Sequence, residues 1–380
     1  MEQPRSAPGP GLAVRLAQHR GIPLDATLAC APGETLALVG PSGSGKTTIL
    51  RCIAGLRRAA DGRIDCAGET WFDAAAGVDL SPQRRAAGLV FQSYALFPHL
   101  SALDNVACAL SHRPPAERAA RARELLARVH LTGLEARRPA HLSGGQQQRV
   151  AVARALARDP KVLLLDEPFS AVDRVTRQRL YRELADLRRT LALPIVLVTH
   201  DLDEAALLAD RMTILHRGRT LQTGTPFDVM TRPADALVAR LVDLRNVFEG
   251  RVATLPGGTR GVAWGGWTLE ARVPTAFADG DRVCWAIPVS GVLLHRRDRP
   301  SRGERENPLD GVVAECTELG EHTTVTMRVA GTGGLVWLRV PTHVARRNGI
   351  VAGGAIRVSL LADSLHVMPW QDLARDALGA

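Results

Sequence analysis

The stretch GPSGSGKT, residues 40–47, decides the fold of this 380-residue chain. It matches the pattern G-x-x-x-x-G-K-[ST] and lies between an apolar run, ETLALVG (34–40), and a helical pattern, TTILRCIAGL (47–56). A strand, a glycine loop and a helix in this order direct backbone N–H groups and the positive end of the helix toward phosphate oxygens. The stretch therefore predicts a phosphate-binding loop at the end of a buried strand of an α/β domain.

Two side chains of this loop carry its predicted chemistry. We expect Lys46 to reach the β- and γ-phosphates of a nucleotide, and Thr47 to offer its hydroxyl group to Mg²⁺. Only Lys46 and Lys161 are lysines among the 48 Lys and Arg residues of the chain. A compact ammonium in a chain that otherwise uses Arg indicates a loop that needs a point charge. The predicted nucleotide-binding residues are Gly40, Pro41, Ser42, Gly43, Ser44, Gly45, Lys46, Thr47 and Thr48.

An acidic pair follows a second apolar run, KVLLLDEP (161–168). Asp166 ends this run, and its carboxylate is a ligand that Mg²⁺ prefers. Glu167 comes next, where it would polarise a water molecule that attacks the γ-phosphate. Because functional side chains of open α/β sheets gather at the carboxyl ends of the strands, both carboxylates are predicted to lie beside the phosphate loop.

Two more strand-like runs end in polar residues. His200 follows PIVLVT (194–199), and Gln92 ends GLVFQ (88–92). We expect His200 to hydrogen-bond the γ-phosphate and the water held by Glu167, although a histidine at this place is more often packed or solvated. Gln92 is predicted to reach both Mg²⁺ and the same water, and is uninformative without the other motifs.

A second glycine-flanked helix start, LSGGQQQR (142–149), raises the question of why one chain has two anion sites. Ser143 can cap this helix with Gln146 at the capping-box position, and Gly144 and Gly145 are predicted to present exposed amides. The alternative is an ordinary capping box. If both loops bind one phosphate group, a second copy of the chain supplies the second loop most simply, which predicts a two-fold dimer with ATP between the subunits.

Changes in composition divide the chain into regions. Alternating strand and helix patterns predict an ATPase domain over residues 1–240, with an inserted helical subdomain over about 101–158. From 247 to 370 the sequence is rich in valine, glycine and turn signals, which predicts a small β domain. The repeated pairs EGRV/RVPT and DGVV/RVPT, separated by a charged linker (295–307), predict two copies of one β unit.

The bulk composition narrows the class of protein. No apolar run approaches the roughly 20 residues of a membrane-spanning helix, and MEQPRSAPGPG (1–11) lacks the apolar core of a secretory signal, so a cytoplasmic chain is expected. The six cysteines are scattered without a C-x-x-C pair, so they are predicted to be reduced and structural. The net charge of +9 is compatible with nucleic acid or an anionic surface, but its origin in arginine usage makes a compositional cause simpler.

The motifs in this order resemble those of the ATP-binding subunits of ABC transporters, over about residues 12–240. The resemblance assigns residues 40–48 to Walker A, Gln92 to the Q-loop, 142–149 to the signature, Asp166 to Walker B, and SAVD (170–173), with Asp173, to the D-loop. His200 is then the H-loop. It implies a P-loop NTPase domain of the ABC type, followed by an all-β OB-like domain, and ATP and Mg²⁺ as ligands. It also implies a head-to-tail dimer in which Ser143, Gly144, Gly145 and Gln146 act in trans on the nucleotide.

The segment LSPQRRAAGLVFQSYALFPHLSALDNV (80–106) is similar to importers of molybdate, sulfate, ferric iron, polyamines or sugars. The likeness implies a motor on the cytoplasmic face of the membrane, bound to integral permease subunits and working indirectly with a substrate-binding protein. The β repeats look like the TOBE regulatory domain of that branch. WFDAAAGVDLSPQRR (71–85) is most similar to molybdate importers, so molybdate is the predicted substrate, with sulfate and iron next.

One departure from the family pattern concerns the base. ABC ATPases usually have an aromatic residue before Walker A that stacks on adenine, yet residues 1–70 contain no Phe, Tyr or Trp. His19 is the nearest candidate for a weaker stack. We therefore expect relaxed base selectivity, with GTP used nearly as well as ATP.

Two competing functions stay open at this point. The first is a soluble ABC ATPase that acts on ribosomes or DNA, although the chain lacks the second motor domain or coiled-coil insertion usual in such proteins; no nucleic acid is expected as partner. The second is an oxyanion sensor in the β repeats, for which Arg339, Arg346 and Arg347 are candidate charges.

Overall fold

A computed structural model describes residues 11–19, 22–170, 177, 180–182, 184–186, 188, 191–295 and 306–372. The chain forms two compact units that divide between Pro226 and Phe227. Within the described ranges, no helix has the length and apolar character that crossing a membrane requires. All six cysteines are free thiols, and Cys108 is exposed.

The first unit is built on one mixed sheet of eleven strands among its described residues. The strands are β1 (Leu12–Gln18), β2 (Leu24–Cys30), β3 (Thr35–Val39), β4 (Asp61–Cys66), β5 (Glu69–Asp73), β6 (Val78–Asp79), β7 (Ala87–Val90), β8 (Val162–Asp166), β9 (Ile195–Thr199), β10 (Arg211–His216) and β11 (Arg219–Gly224). The helices are α1 (Lys46–Ile53), α2 (Ala102–Ala107), α3 (Pro115–Arg128), α4 (Gly144–Leu156) and α5 (Leu202–Leu208).

The centre of this sheet is parallel, in the order β10-β3-β9-β8-β7. Every residue of β3, β8 and β9 is buried, as expected for continuous apolar runs covered on both faces. Strands β1, β2, β4, β5 and β6 extend the sheet with antiparallel pairs, and β1 and β2 alternate buried and more exposed residues. The apolar runs predicted as strands are thus confirmed, and their carboxyl ends meet at one edge.

Residues 101–158 hold α2, α3 and α4 and no strand. Ser101 caps α2 by accepting a hydrogen bond from the Asp104 amide. Helix α3 turns Ala122, Leu125 and Leu126 into a core that it shares with α2 and α4. The described residues between 177 and 188 are helical.

The second unit contains two five-stranded antiparallel sheets among its described residues. Its helices are α6 (Pro226–Thr231), α7 (Ala236–Leu241) and α8 (Thr342–Arg347). Its strands are β12 (Asn246–Thr254), β13 (Arg260–Trp264), β14 (Trp267–Glu270), β15 (Arg282–Ile287), β16 (Val292–Leu294), β17 (Glu306–Leu319), β18 (His322–Val329), β19 (Leu335–Pro341), β20 (Ala355–Leu361) and β21 (His366–Pro369). One apolar core contains side chains of both sheets, including Trp285 and Met327.

The two sheets have the same topology with one strand exchanged. The first has the order β14-β13-β12-β15-β21, and the second has the order β19-β18-β17-β20-β16. Strands β12–β15 and β17–β20 are therefore equivalent, while β16 follows the first copy but pairs in the second sheet, and β21 completes the first. The predicted repeat therefore exists, and each copy contributes its last strand to the sheet of the other, so that neither copy completes its own sheet.

The two RVPT stretches also differ from the predicted repeat. The second ends β19 and begins α8, whereas residues 272–275 belong to no strand. By contrast, Gly250 and Gly311 occupy equivalent places in β12 and β17, where an added Cβ would lie 2.5 Å from Val262 and 2.3 Å from the Arg328 carbonyl oxygen. The repeat is thus preserved where two strands pack closely. Of the charged linker at 295–307, residues 296–305 lie outside the described residues.

The second unit starts at Phe227, earlier than the boundary at residue 240 that the sequence analysis predicted. Ala236 and Ala239 of α7 are buried in a cluster with Cys284, Ala286 and Met368, which lie in β15 and β21. Because this helix covers the face of the first C-terminal sheet, it belongs to that unit and not to the preceding one.

Candidate nucleotide-binding and hydrolysis site

The loop before α1 has a backbone that only glycine accommodates well. Gly43 and Gly45 have φ angles of +80° and +102°, in the left-handed region. At Gly40 an added Cβ would lie 2.0 Å from the carbonyl oxygen of Leu215. Gly45 also precedes the first residue of α1 without any side-chain cap. The first N–H groups of α1 thus lack a side-chain cap and can bind an anion.

Lys46 lies folded over this loop. Its Nζ donates hydrogen bonds to the carbonyl oxygens of Gly40, at 2.7 Å, and Pro41, at 2.9 Å. Burial lowers the pKa of Lys46, and the nearby carboxylates of Glu167 and Asp166 oppose this shift. The ammonium group is therefore held at the mouth of the loop by weak carbonyl partners that a phosphate oxygen can replace.

The rest of the predicted loop residues differ in exposure. Pro41, Ser42 and Gly43 are exposed, whereas Ser44 and Thr48 are buried. The Ser44 carbonyl accepts a hydrogen bond from the Gly218 amide, which ties the loop to the β10–β11 turn. Thr48 is a buried residue of α1 and is not among the residues that line the cleft.

Thr47 and Asp166 place two oxygen donors side by side. Thr47 Oγ1 donates a hydrogen bond of 2.9 Å to Asp166 Oδ1. Burial raises the pKa of Asp166, and the hydrogen bond from Thr47 opposes this shift. A hydroxyl and a buried carboxylate at one place form the hard donor set that Mg²⁺ prefers, so these residues fit the predicted metal. Both line a cleft of about 520 Å³ together with Gln92.

Glu167 lies between the two other predicted groups. Its Oε2 accepts a hydrogen bond of 3.3 Å from Gln92 Nε2, and its Oε1 lies 3.5 Å from His200 Nδ1. The backbone amide of Glu167 donates to Val198 of the adjacent strand β9. Three strand ends thus bring together the glutamine, the carboxylate and the imidazole that the sequence analysis expected to meet.

The backbone of Glu167 is strained. Its φ angle is +43°, a left-handed conformation that costs a residue with a side chain about 1–3 kcal/mol. Ser170 stabilises this turn, because its amide and its Oγ both donate to the Glu167 carbonyl oxygen, at 3.2 and 3.0 Å. Strained residues of this kind occur preferentially where a side chain must be aimed at a reacting group.

The signature segment has the predicted capping box. Ser143 Oγ accepts from the Gln146 amide at 3.3 Å, and Gln146 Oε1 accepts from the Ser143 amide at 2.9 Å. Ser143 is exposed and Gly144 is partly exposed. Gly145, however, is buried, and an added Cβ would lie 2.8 Å from Leu180 Cδ2. The expectation that Gly145 is exposed is therefore wrong: this glycine allows close packing against Leu180.

The two remaining predicted site residues are Asp173 and His19. Asp173, the predicted D-loop residue, lies outside the described residues. His19 follows β1 and is exposed. The first residue of β2 lies next to the phosphate loop, because Leu24 Cδ2 would be 3.4 Å from a Cβ placed on Gly45.

Sequence reasoning missed three residues around His200. Asp201 caps α5 by accepting from the Glu204 amide at 3.1 Å, and Thr199 Oγ1 donates to Glu204 Oε2 at 2.8 Å. The D-x-x-E spacing of residues 201–204 was the available signal, since it matches a capping box. In that motif the glutamate reaches back to the cap amide, whereas here it bonds Thr199.

Comparison with known proteins accounts for both units. Residues 24–170 match the family model described as ABC transporter, and residues 292–368 match the one described as TOBE domain. The chain is 40% identical over 319 residues to the spermidine/putrescine import ATP-binding protein PotA of Rubrobacter xylanophilus, covering 82% of this chain and 81% of the relative. It is 39% identical over 349 residues to the sulfate/thiosulfate import ATP-binding protein CysA 2 of Chromobacterium violaceum, covering 90% of each.

A solved structure, the dimeric post-hydrolysis state of the ATP-binding cassette MJ0796 bound to ADP and phosphate, aligns with a TM-score of 0.48 at 31% identity. It covers 57% of this chain and 98% of the other.

The fold, the site and the matches to the two family models and the two import proteins define an ABC ATPase. The chain belongs to the ABC transporter family, and within it to the ATP-binding subunits of importers that have a C-terminal TOBE-type domain. The predicted fold class, ATP binding and ATPase activity are thereby confirmed. The two import proteins named above are described for polyamines and for sulfate, and neither is described for molybdate.

Proposed function

We propose that two copies of this chain close on ATP to drive a membrane permease, and that Glu167 and His200 carry out the hydrolysis that resets them. The observation that carries this proposal is the position of the Glu167 carboxylate, between Gln92 Nε2 and His200 Nδ1. Thr47 and Asp166, bonded to each other, line the same cleft as Gln92. One group of side chains can thus hold a phosphate and a water molecule together.

Each residue has a separate role in this proposal. The amides of residues 40–48 and the Lys46 ammonium bind the phosphates, with Lys46 exchanging its carbonyl partners for phosphate oxygens. Glu167 accepts a proton from the attacking water, and His200 donates a hydrogen bond to the γ-phosphate. Bound Mg²⁺, held by Thr47, Asp166 and Gln92, would neutralise charge on the phosphate oxygens.

We further propose that the signature residues act on the nucleotide of the other subunit. The N-terminus of the 13-residue helix α4 supports this, since the helix dipole favours an anion there. Ser143 is exposed at this terminus, and among the described residues its hydroxyl group is engaged only as an acceptor in the capping box. Its hydroxyl hydrogen is therefore available to donate to a phosphate oxygen.

The partner surface for the permease is proposed to lie after Gln92 and on the helical subdomain. Phe97 in this segment has 46% of its surface exposed. The guanidinium group of Arg154 in α4 lies 5.8 Å from the centre of the Phe97 ring, and it donates to the carbonyl oxygens of Tyr94 and Ala95. These contacts link the segment to the signature helix, which supports a route from nucleotide to permease.

This partnership places the motor on the cytoplasmic face of the membrane. Expressed with its permease, the protein should sediment with membranes, and without the permease it should stay in the supernatant. Sedimentation with nucleic acid and a steep dependence on salt would instead indicate a ribosome or DNA factor.

The identity of the transported substrate is a separate part of the proposal. The proposal from the sequence was molybdate, and it rests on a general likeness of residues 71–85, whereas the relatives named above favour a polyamine or sulfate. Growth of a deletion strain on limiting molybdate, sulfate or spermidine, with uptake of each labelled compound, distinguishes these substrates. The associated binding protein decides which compound stimulates ATP hydrolysis.

A regulatory role for the C-terminal domain has weaker support. Arg346, one of its candidate oxyanion ligands, is already bound to Glu318, with Nε at 3.0 Å and a second nitrogen at 2.7 Å. This pairing reduces the charge available to an anion, so we propose the domain as a structural platform and not as an oxyanion sensor.

A further inference from the structure

A ring of hydrogen bonds encloses the turn that presents His200. Thr199 Oγ1 donates to Glu204 Oε2 at 2.8 Å and accepts from the Asp201 amide at 3.0 Å. Asp201 Oδ1 in turn accepts from the Glu204 amide at 3.1 Å. The residues on both sides of His200 are thus bonded to each other and to α5.

His200 itself has few other restraints. Its side chain is 60% exposed, so packing does not define the orientation of the imidazole. The position of Nδ1, 3.5 Å from Glu167, therefore depends on the backbone of the turn. A change in this backbone would move the imidazole away from both Glu167 and the proposed phosphate site.

The Glu204 carboxyl group is buried, and this burial costs free energy. Its side chain is buried in the first turn of α5, and its Oε1 has no hydrogen-bond partner among the described residues. Burial raises the pKa of Glu204 to about 7. The Thr199 hydroxyl opposes this shift, as does Arg177, while the carboxylates of Asp201 and Glu167 reinforce it. A protein retains such a buried carboxyl group when its hydrogen bond, here the one from Thr199, has a role that an apolar residue cannot fulfil.

We propose that Glu204 is a positioning residue for ATP hydrolysis, which fixes the His200 turn through the Thr199 hydroxyl group. This inference rests on the proposed role of His200. It extends that role to a buried pair, Thr199 and Glu204, that does not line the nucleotide cleft.

The central experiment compares two substitutions of Thr199 in the full-length protein. Thr199→Val keeps the shape of the side chain but removes the hydroxyl group, and Thr199→Ser keeps the hydroxyl group. Because a displacement of about 1 Å in an active site can cost on the order of 100-fold in rate, we expect kcat to fall at least about tenfold in Thr199→Val. Thr199→Ser should recover kcat to within about threefold of the wild type, and the Kd for Mg-ATP should change less than about threefold in both.

A second pair of variants tests the carboxyl group. Glu204→Ala removes the acceptor for Thr199 and should lower kcat, whereas Glu204→Gln retains an acceptor oxygen and should lower it less. Asp203→Asn, an exposed residue of the same helix turn, is the control and should leave kcat unchanged. If Thr199→Val fails to fold, the two Glu204 variants decide the question on soluble protein.

The double variant Thr199→Val/His200→Ala separates this inference from the proposed function. If Thr199 acts through His200, the double variant should be no slower than His200→Ala alone, because the two effects are not additive. Loss of activity in His200→Ala with normal kcat in Thr199→Val and Glu204→Ala overturns the positioning role alone. Full activity in His200→Ala overturns the proposed function as well. A fall in kcat that His200→Ala does not mask indicates a structural role and also overturns the inference.

Discussion

Nδ1 of His200 lies 3.5 Å from Oε1 of Glu167, although the two residues belong to different strand ends and are separated by a long stretch of sequence. The parallel pairing of β8 with β9 produces this relationship, since it sets Asp166 opposite Val198 and both strands end at the same edge. The strained backbone at Glu167 then turns its carboxylate between His200 and Gln92. The hydrolysis proposed for this site therefore depends on three strands remaining in register.

Glu167→Gln should abolish turnover while leaving nucleotide binding intact. The amide has the same size and can still contact Gln92 and His200, but it cannot accept the proton of the attacking water. We expect kcat to fall by about 10²–10⁴ with the Kd for Mg-ATP within about threefold of the wild type. Phosphate release and equilibrium binding measure the two quantities. A variant that keeps a tenth of the wild-type rate would contradict the role of Glu167 as general base.

The two lysines provide a matched test of the phosphate loop. Lys46 is 5% exposed and bonds the loop carbonyls of Gly40 and Pro41, whereas Lys161 forms an exposed ion pair with Glu69 at 3.5 Å. Lys46→Arg puts a larger, planar fork where a point charge fits, so ATP binding should weaken by at least about tenfold. Lys161→Arg should change binding by less than about twofold. Equal effects of the two substitutions on the Kd for Mg-ATP would argue against a specific phosphate contact by Lys46.

Protonation of Glu204 should make the stability of the first unit depend on pH. Burial raises its pKa from an ordinary value of 4.5 to about 7, so the folded state keeps the proton at higher pH than the unfolded state does. The resulting stabilisation is complete below about pH 4.5 and is lost as the pH rises through 7, a change of up to about 3 kcal/mol. Glu204→Gln cannot ionise and should lack this component.

Chemical denaturation at pH 5 and pH 8 measures the effect. When the pH is raised from 5 to 8, the free energy of unfolding of Glu204→Gln should increase relative to that of the wild type, and that of Asp203→Asn should not. If the difference between the wild type and Glu204→Gln is the same at both pH values, Glu204 does not titrate in this range.

The absence of an aromatic residue before the phosphate loop predicts weak discrimination between bases. Stacking of a base on an aromatic side chain is worth about 1–3 kcal/mol, and His19 offers a smaller ring. GTP should therefore compete with ATP within about fivefold in a binding assay, and His19→Tyr should tighten ATP binding. Discrimination against GTP by a much larger factor would contradict this expectation.

The local parts of the fold followed from the sequence more readily than the long-range parts. The strands β3, β8 and β9 were predictable because continuous apolar runs end in polar residues, and the capping box of α4 because its residues are adjacent. The exchange of β16 and β21 between the two C-terminal sheets was not, since a repeat in the sequence does not say with which copy its last strand pairs.

The burial of some individual side chains could not be predicted from the sequence either. Arg85 is 3% exposed, and its guanidinium group donates to the carbonyl oxygens of Cys52 and Ile53 at the end of α1. In a chain where arginine fills most basic positions, nothing marks this one as buried. The burial of Gly145 under Leu180 likewise depends on a residue 35 positions away in sequence.

The central claim, a nucleotide shared between two copies of the chain, is tested most directly by the molar mass of Glu167→Gln in solution. Light scattering with saturating Mg-ATP should give a dimer, because the unhydrolysed γ-phosphate stays between the subunits. Adding Ser143→Arg should restore the monomer by placing a bulky side chain at the N-terminus of α4. Ser101→Arg, at the partly exposed cap of α2, is the control and should leave the dimer intact. A monomer at saturating Mg-ATP, or a dimer that Ser143→Arg does not disrupt, would contradict the shared site.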